Sequence, residues 1–199
     1  MAAALGAWVL FEDGSGQSVR PPRAKTWAPW GVTPVVRVRG GGTGRIHVAG
    51  VVCYRPGRRS RFFPHLRTHR GRRGELKSLT WKDYRDLIRR AHQQLGGPVI
   101  LIWDNLATHL VRPLREFIEK TDWLTVVQMP PYAPDLNPQE GIWSLLKRDL
   151  GNLTAQTFDE LLRAVKRKLK SLQYRPDIID GCLAGTGLTL ETALPDNTS

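Results

Sequence analysis

Apolar and polar positions along the chain follow a strand rhythm first and then an alternation of helix and strand. Trp8 to Asp13 is a short apolar run ending in acid, which predicts a buried strand broken by Gly14-Ser15-Gly16. Pro21 to Pro34, rich in Pro and Trp, predicts an ordered loop. Val35 to Arg39 alternates as a half-exposed strand does, and Gly40 to Gly44 makes a turn. Arg45 to Tyr54 predicts the next strand and Arg61 to Leu66 another. Their close succession through turns implies antiparallel pairing.

From Thr80 the period lengthens. Trp81, Tyr84, Leu87, Ile88, Ala91 and Leu95 form a helical stripe closed by Gly96-Gly97-Pro98. Val99 to Trp103 is uninterruptedly apolar, the mark of a strand covered on both faces. A second helix is expected near Pro113, carrying Leu114, Phe117 and Ile118, and a short buried strand over Trp123 to Val127. Asn137-Pro138 opens a third helix, with Asn137 as N-cap and Pro138 at the first helical position. Thr157 and Glu160 form a capping box for a fourth, with Phe158, Leu161, Leu162, Val165, Leu169 and Leu172 on its apolar side.

This order predicts an α/β fold, a mixed five-stranded sheet flanked by helices. It fits a ribonuclease H-like arrangement, in which carboxylates from separate strands and a helix meet at one edge. One domain is expected over residues 1–188, with a flexible tail over 189–199, because residues after about Leu188 are polar and unpatterned.

Composition then narrows the function. With 41% hydrophobic and 24% charged residues in 199, the chain is of ordinary globular type and can bury a core. No stretch is apolar for long enough to cross a bilayer, and the first residues lack the basic start of a signal peptide. Cys53 and Cys182 stand far apart, outside zinc-type spacing, and read as reduced core residues. Thirty Lys and Arg against eighteen Asp and Glu leave +12, which favours a polyanionic partner, nucleic acid first.

Three acids stand where chemistry is often placed. Asp104 directly follows the apolar strand, the usual position of ligand sites in open α/β sheets. Asp13 also follows a buried run, although Asp13-Gly14 is equally a hairpin signal. Glu140 lies three residues after Asn137, where Glu also simply supports a helix start.

Their neighbours tie them together. Trp103-Asp104-Asn105-Leu-Ala-Thr-His109 and Pro131-Tyr132-Ala-Pro134-Asp135-Leu-Asn137-Pro138-Gln-Glu140-Gly-Ile-Trp143 resemble the second and third blocks of DDE transposases of bacterial insertion sequences, in the mariner-related superfamily. Phe11-Glu12-Asp13 and Trp27 to Pro34 resemble the first block. Thirty-five residues separate Asp104 and Glu140 (140 − 104 − 1), close to the family's spacing. The family usually reads Asp-Glu at the first acid; here it is Asp13-Gly14, preceded by Glu12. Register favours Asp13, with Glu12 as the alternative, and Glu140 is preferred over Asp135 as the third acid.

The resemblance implies a metal-dependent endonuclease that cleaves element ends and transfers the strand to target DNA. Asp13, Asp104 and Glu140 would be both catalytic residues and metal ligands, holding two Mg²⁺ (or Mn²⁺) ions per site, with Asp13 bridging both. Two such ions can activate a nucleophile, relieve charge at phosphorus and stabilise the leaving oxygen. Asn105, His109, Tyr132 and Asn137 would support the acids, while Trp143 reads as core. The alternatives left open are a non-catalytic DNA-binding remnant and a structure-specific nuclease of the same fold.

A DNA surface is expected at Arg55, Arg58, Arg59, Arg61, Arg67, Arg70, Arg72 and Arg73, a run without an acid, and at Arg163, Lys166, Arg167 and Lys170 along the last helix. The resemblance further implies a helix-turn-helix N-terminal half, as partner or fusion, because this chain opens almost on its first strand. A homodimer, no membrane partner and a cytoplasmic, nucleoid-associated location in a bacterium belong to the same expectation.

Overall fold

The computed structural model describes residues 6–18, 29–31, 44–131, 133–151 and 157–190. Most of the expected loop at Pro21–Pro34, the strand at Val35–Arg39, nearly all of the Gly40–Gly44 turn, Tyr132 and all but two residues of the tail lie outside these ranges.

Five strands form one mixed sheet. Strands β1 (Trp8–Ser18), β2 (Arg45–Tyr54) and β3 (Arg61–His69) pair antiparallel; β4 (Val99–Trp103) and β5 (Leu124–Gln128) run parallel to β1 on its other side. The order across the sheet is β3-β2-β1-β4-β5. The helices are α1 (Trp81–Leu95), α2 (Arg112–Glu119), α3 (Pro138–Gly151), α4 (Phe158–Gln173) and α5 (Pro176–Ala184), with a single 3-10 turn at Pro134–Leu136.

Strand alternation divides the core into two layers. Trp8 and Leu10 of β1 join Val51, Val99, Leu101 and Trp103 under α1 and α2, where Leu87, Ile88 and Leu114 close the layer. Val9 and Phe11 face the other way, onto Val48, Val52 and the residues Ile142, Trp143, Leu146, Val165, Leu169 and Ile179 of α3, α4 and α5. Leu190 also packs against this second layer, just past the expected domain end.

Local chemistry starts the helices where expected. The Asp83 carboxylate accepts from Thr80 N–H (2.7 Å) ahead of α1, and Thr157 and Glu160 exchange the capping-box pair ahead of α4.

Three expectations are corrected. Gly14-Ser15-Gly16 does not end β1, because Gly14, Ser15 and Gly16 pair with Ala49, Val48 and His47 of β2, and this ladder overrides the turn signal. β5 is not a buried strand but the sheet's edge: Thr125, Val127 and Gln128 are exposed. Helix α5 was not expected at all; only Ile179 of its nine residues is fully buried, too little for a visible stripe.

Candidate active site

The parallel pairing of β1 and β4 sets two acids side by side. Trp8 pairs with Val99 and Phe11 with Ile102, an offset of 91 that, continued two residues past the last pair, sets Asp13 level with Asp104 (104 − 13 = 91). Neighbouring strands lie about 4.8 Å apart. Alternation turns Asp13 toward the α3 layer, since Phe11, two residues earlier on β1, packs there, while Asp104 directly follows the last residue of β4. Glu140 approaches from the first turn of α3, which Asn137 caps by accepting from Gln139 N–H (3.1 Å). Asp13, Asp104 and Glu140 together line one cleft of about 380 Å³, with Asn105, Met129, Pro130, Pro134 and Asn137 among its walls.

Asp13 is held from two sides: Gly14 N–H donates to Oδ1 (2.7 Å) and the Trp143 indole N–H to Oδ2 (3.1 Å). Burial, and then the charge of Glu140, push its carboxyl up to about 8 against the help of Gly14 N–H. Asp104 is half-exposed and goes the other way. Its hydrogen bond with His109, and then the one from Leu106 N–H (3.0 Å), hold it below the usual carboxylate range despite partial burial. Two neighbouring acids thus differ in proton affinity.

His109 is 2% exposed. Its ring stacks on Trp103 (centroids 4.3 Å, 4° between planes) and meets Tyr84 edge-on (4.7 Å). Nδ1 lies 3.0 Å from Asp104 Oδ1, and Nε2 lies 3.1 Å from Glu12 Oε2, a charge contact off the hydrogen-bond line. Burial alone would lower the imidazole; Asp104 and Glu12 outweigh it and raise it to about 9. Glu12 therefore points away from the cleft, to the opposite face of β1 from Asp13.

Residues 8–162 match the DDE superfamily endonucleases, most of the chain's length. The chain belongs to that family. Solved structures agree on the ribonuclease H-like fold. A Mos1 mariner paired end complex with Mg superposes with a TM-score of 0.58 at 17% identity, covering 92% of this chain and 56% of that one. A Mos1 mariner paired end complex with Mn gives 0.53 at 20%, covering 92% and 56%. A Mos1 transposase paired-end complex with the left transposon end gives 0.55 at 17%, covering 94% and 57%. The chain spans a little over half the length of these solved chains. Among curated proteins, none matches it in sequence.

In this DDE superfamily endonuclease domain the other expected residues fall in several places. Asn105 Nδ2 donates to Met129 O (3.4 Å), tying the two loops that wall the cleft. Asp135 is exposed and lines an adjoining groove between α3 and α5 that shares Pro134, Asn137 and Glu140 with the cleft but is not lined by Asp13 or Asp104. Trp143 is core, as expected, and also an Asp13 partner, which its spacing did not show. Gly50 permits that contact: it pairs with Asp13, and a Cβ there would meet the Trp143 ring at 3.0 Å and Gln139 Nε2 at 2.8 Å.

The arginine run does not form one patch. Arg55, Arg58, Arg59 and Arg61 lie around the β2–β3 turn, beside the start of β1, where Tyr54 pairs with Val9. Arg67, Arg70, Arg72 and Arg73 follow β3 to the opposite end, where His69 pairs with Arg45 and Arg45 with Ser18, and Asp13, paired with Gly50, stands between the two ends. Arg67 is engaged by Asp83 (2.5 Å) and Arg70 by Asp159 (2.5 Å), whereas Arg72 and Arg73 are exposed. On α4, Arg163, Lys166, Arg167 and Lys170 are all exposed.

Hard divalent cations suit this cleft by donor chemistry: three carboxylates face it, and no Lys or Arg is among the described residues lining it. Among the described residues, no three His, Cys, Asp or Glu side chains close into a cage that would hold an ion unaided. Mg²⁺ is commonly held by one or two carboxylates, with water and substrate phosphate completing the shell. No helix among the described residues is long and apolar enough to cross a membrane.

Proposed function

We propose that this domain is the catalytic part of a transposase, cleaving DNA strands at insertion-sequence ends and joining them to target DNA. The observation that carries this reading is the meeting of Asp13, Asp104 and Glu140 in one cleft, where β4 ends beside the middle of the parallel strand β1. In this reading Asp13, Asp104 and Glu140 hold two Mg²⁺ or Mn²⁺ ions, which would supply charge relief at phosphorus and a more acidic nucleophile. Trp143 holds the Asp13 carboxylate, Asn137 fixes the start of α3 and so the reach of Glu140, and Asn105 steadies the loop after Asp104. DNA is the partner, through Arg72, Arg73 and the α4 cations first. A helix-turn-helix half would recognise element ends, and the active assembly is a homodimer acting on nucleoid DNA in a bacterial cytoplasm. Residues 1–188 form the catalytic unit, followed by a flexible tail.

The test is nicking of a supercoiled plasmid carrying the DNA that flanks the gene, in millimolar Mn²⁺. Wild type should nick, and Asp104→Asn should slow nicking by roughly two orders of magnitude or more, each tenfold being about 1.36 kcal/mol of lost charge stabilisation. Equal nicking by both rejects the assignment. Nicking by neither, even when fused to a helix-turn-helix partner, points instead to a DNA-binding remnant.

A further inference from the structure

Glu12 has no part in the cleft, yet it is wholly buried. A carboxylate taken out of water costs several kcal/mol unless a partner compensates it. Neither of its oxygens receives a hydrogen bond from the described residues, and the polar group facing it is the His109 imidazole, at 3.1 Å. On its face of β1 the neighbouring positions are Leu10 and Gly14, so Glu12 alone offers charge there. The His109 ring cannot easily turn away, being stacked on Trp103 and edged by Tyr84. Its other nitrogen touches Asp104, both at Oδ1 (3.0 Å) and at the backbone carbonyl (3.2 Å). A line of contacts therefore runs from inside the sheet, through one clamped ring, to an acid of the cleft.

We propose that Glu12 is a positioning residue rather than an alternative metal ligand. It fixes His109, and through His109 it sets the Asp104 carboxylate in the orientation that receives a divalent cation. This rests on the proposed function. Outer partners that orient a ligand typically matter about ten- to a hundredfold in metal affinity.

The experiment measures Mn²⁺ affinity of the full chain by the electron paramagnetic resonance of free Mn²⁺. Wild type, Glu12→Gln, His109→Gln and the double variant are compared, with circular dichroism to certify the fold. Glu12→Gln should bind Mn²⁺ about tenfold more weakly. The double variant should be little weaker than His109→Gln, because the two residues act in series. If Glu12→Gln does not fold, Glu12→Met, which fills similar volume without charge, takes its place. A folded Glu12 variant with wild-type affinity overturns the proposal and leaves the transposase reading intact. A wild type that binds no Mn²⁺ overturns both.

Discussion

Asp13 carries the most costly charge in the cleft. Its folded carboxyl is raised to about 8 from 3.8, so between those values the folded chain keeps a proton that the unfolded chain has released. Where the folded state binds more protons, stability falls as pH rises. His109 acts in the same sense: raised from 6.5 to about 9, it contributes stability that is fully present below 6.5 and is lost as pH climbs through 9. Asp104, whose carboxyl is lowered, works oppositely, but its contribution disappears only in acid. Metal-free protein should therefore show a melting temperature that declines from pH 6.5 to 9. Mn²⁺ competes with the Asp13 proton, so the upward shift that millimolar Mn²⁺ produces should grow over the same interval. Melting curves across that range, with and without the ion, check this. A metal-free profile that stays flat would contradict the burial of these two groups.

At the scale of elements, the cleft depends on how closely α3 approaches β2. Gly50 leaves the space in which Trp143 reaches Asp13, so Gly50→Ala should destabilise the domain by about 1–3 kcal/mol, the usual cost of overpacking. It should also weaken Mn²⁺ binding by displacing the indole N–H from Asp13. Gly16→Ala is the control: its added Cβ meets nothing within 4 Å, and thermal unfolding should barely change. This coupling also marks where the sequence was legible. The strand Val99–Trp103, the stripe of α1 and the caps of α3 and α4 are written in neighbouring residues, and all four stand where expected. The run of β1 through Gly14 to Ser18 is decided by a partner strand some thirty residues later, and no local signal could show it. The bond from Trp143 to Asp13 spans 130 residues and needs a glycine on a third element. Glu12 and Asp13 were hard to separate as letters, but the period of two in a strand sends them to opposite faces.

For the whole molecule, the question is where a net charge of +12 meets a phosphate backbone. Contiguity in sequence made eight arginines look like one surface, but an antiparallel hairpin carries its turn and its far end in opposite directions. Asp13 stands between the two: four residues of strand, about 13 Å, separate its level from that of Val9 and Tyr54, and five, about 17 Å, from that of Ser18 and Arg45. Asp104 follows the carboxyl end of β4, so the cleft opens in the direction in which β3 runs on to Arg72 and Arg73, whereas the β2–β3 turn bearing Arg58 and Arg59 points the other way. Each phosphate neutralised contributes about 0.9 to the slope of log affinity against log salt. Replacing Arg72 and Arg73 with Gln should lower the magnitude of that slope by about 2, whereas the same change at Arg58 and Arg59 should leave it unaltered. Fluorescence anisotropy with a short duplex, titrated with salt for the two double variants, separates the ends of the hairpin. If the Arg58 and Arg59 pair moves the slope and the Arg72 and Arg73 pair does not, DNA meets the β2–β3 turn, and the assignment of Arg72 and Arg73 as its contacts is wrong.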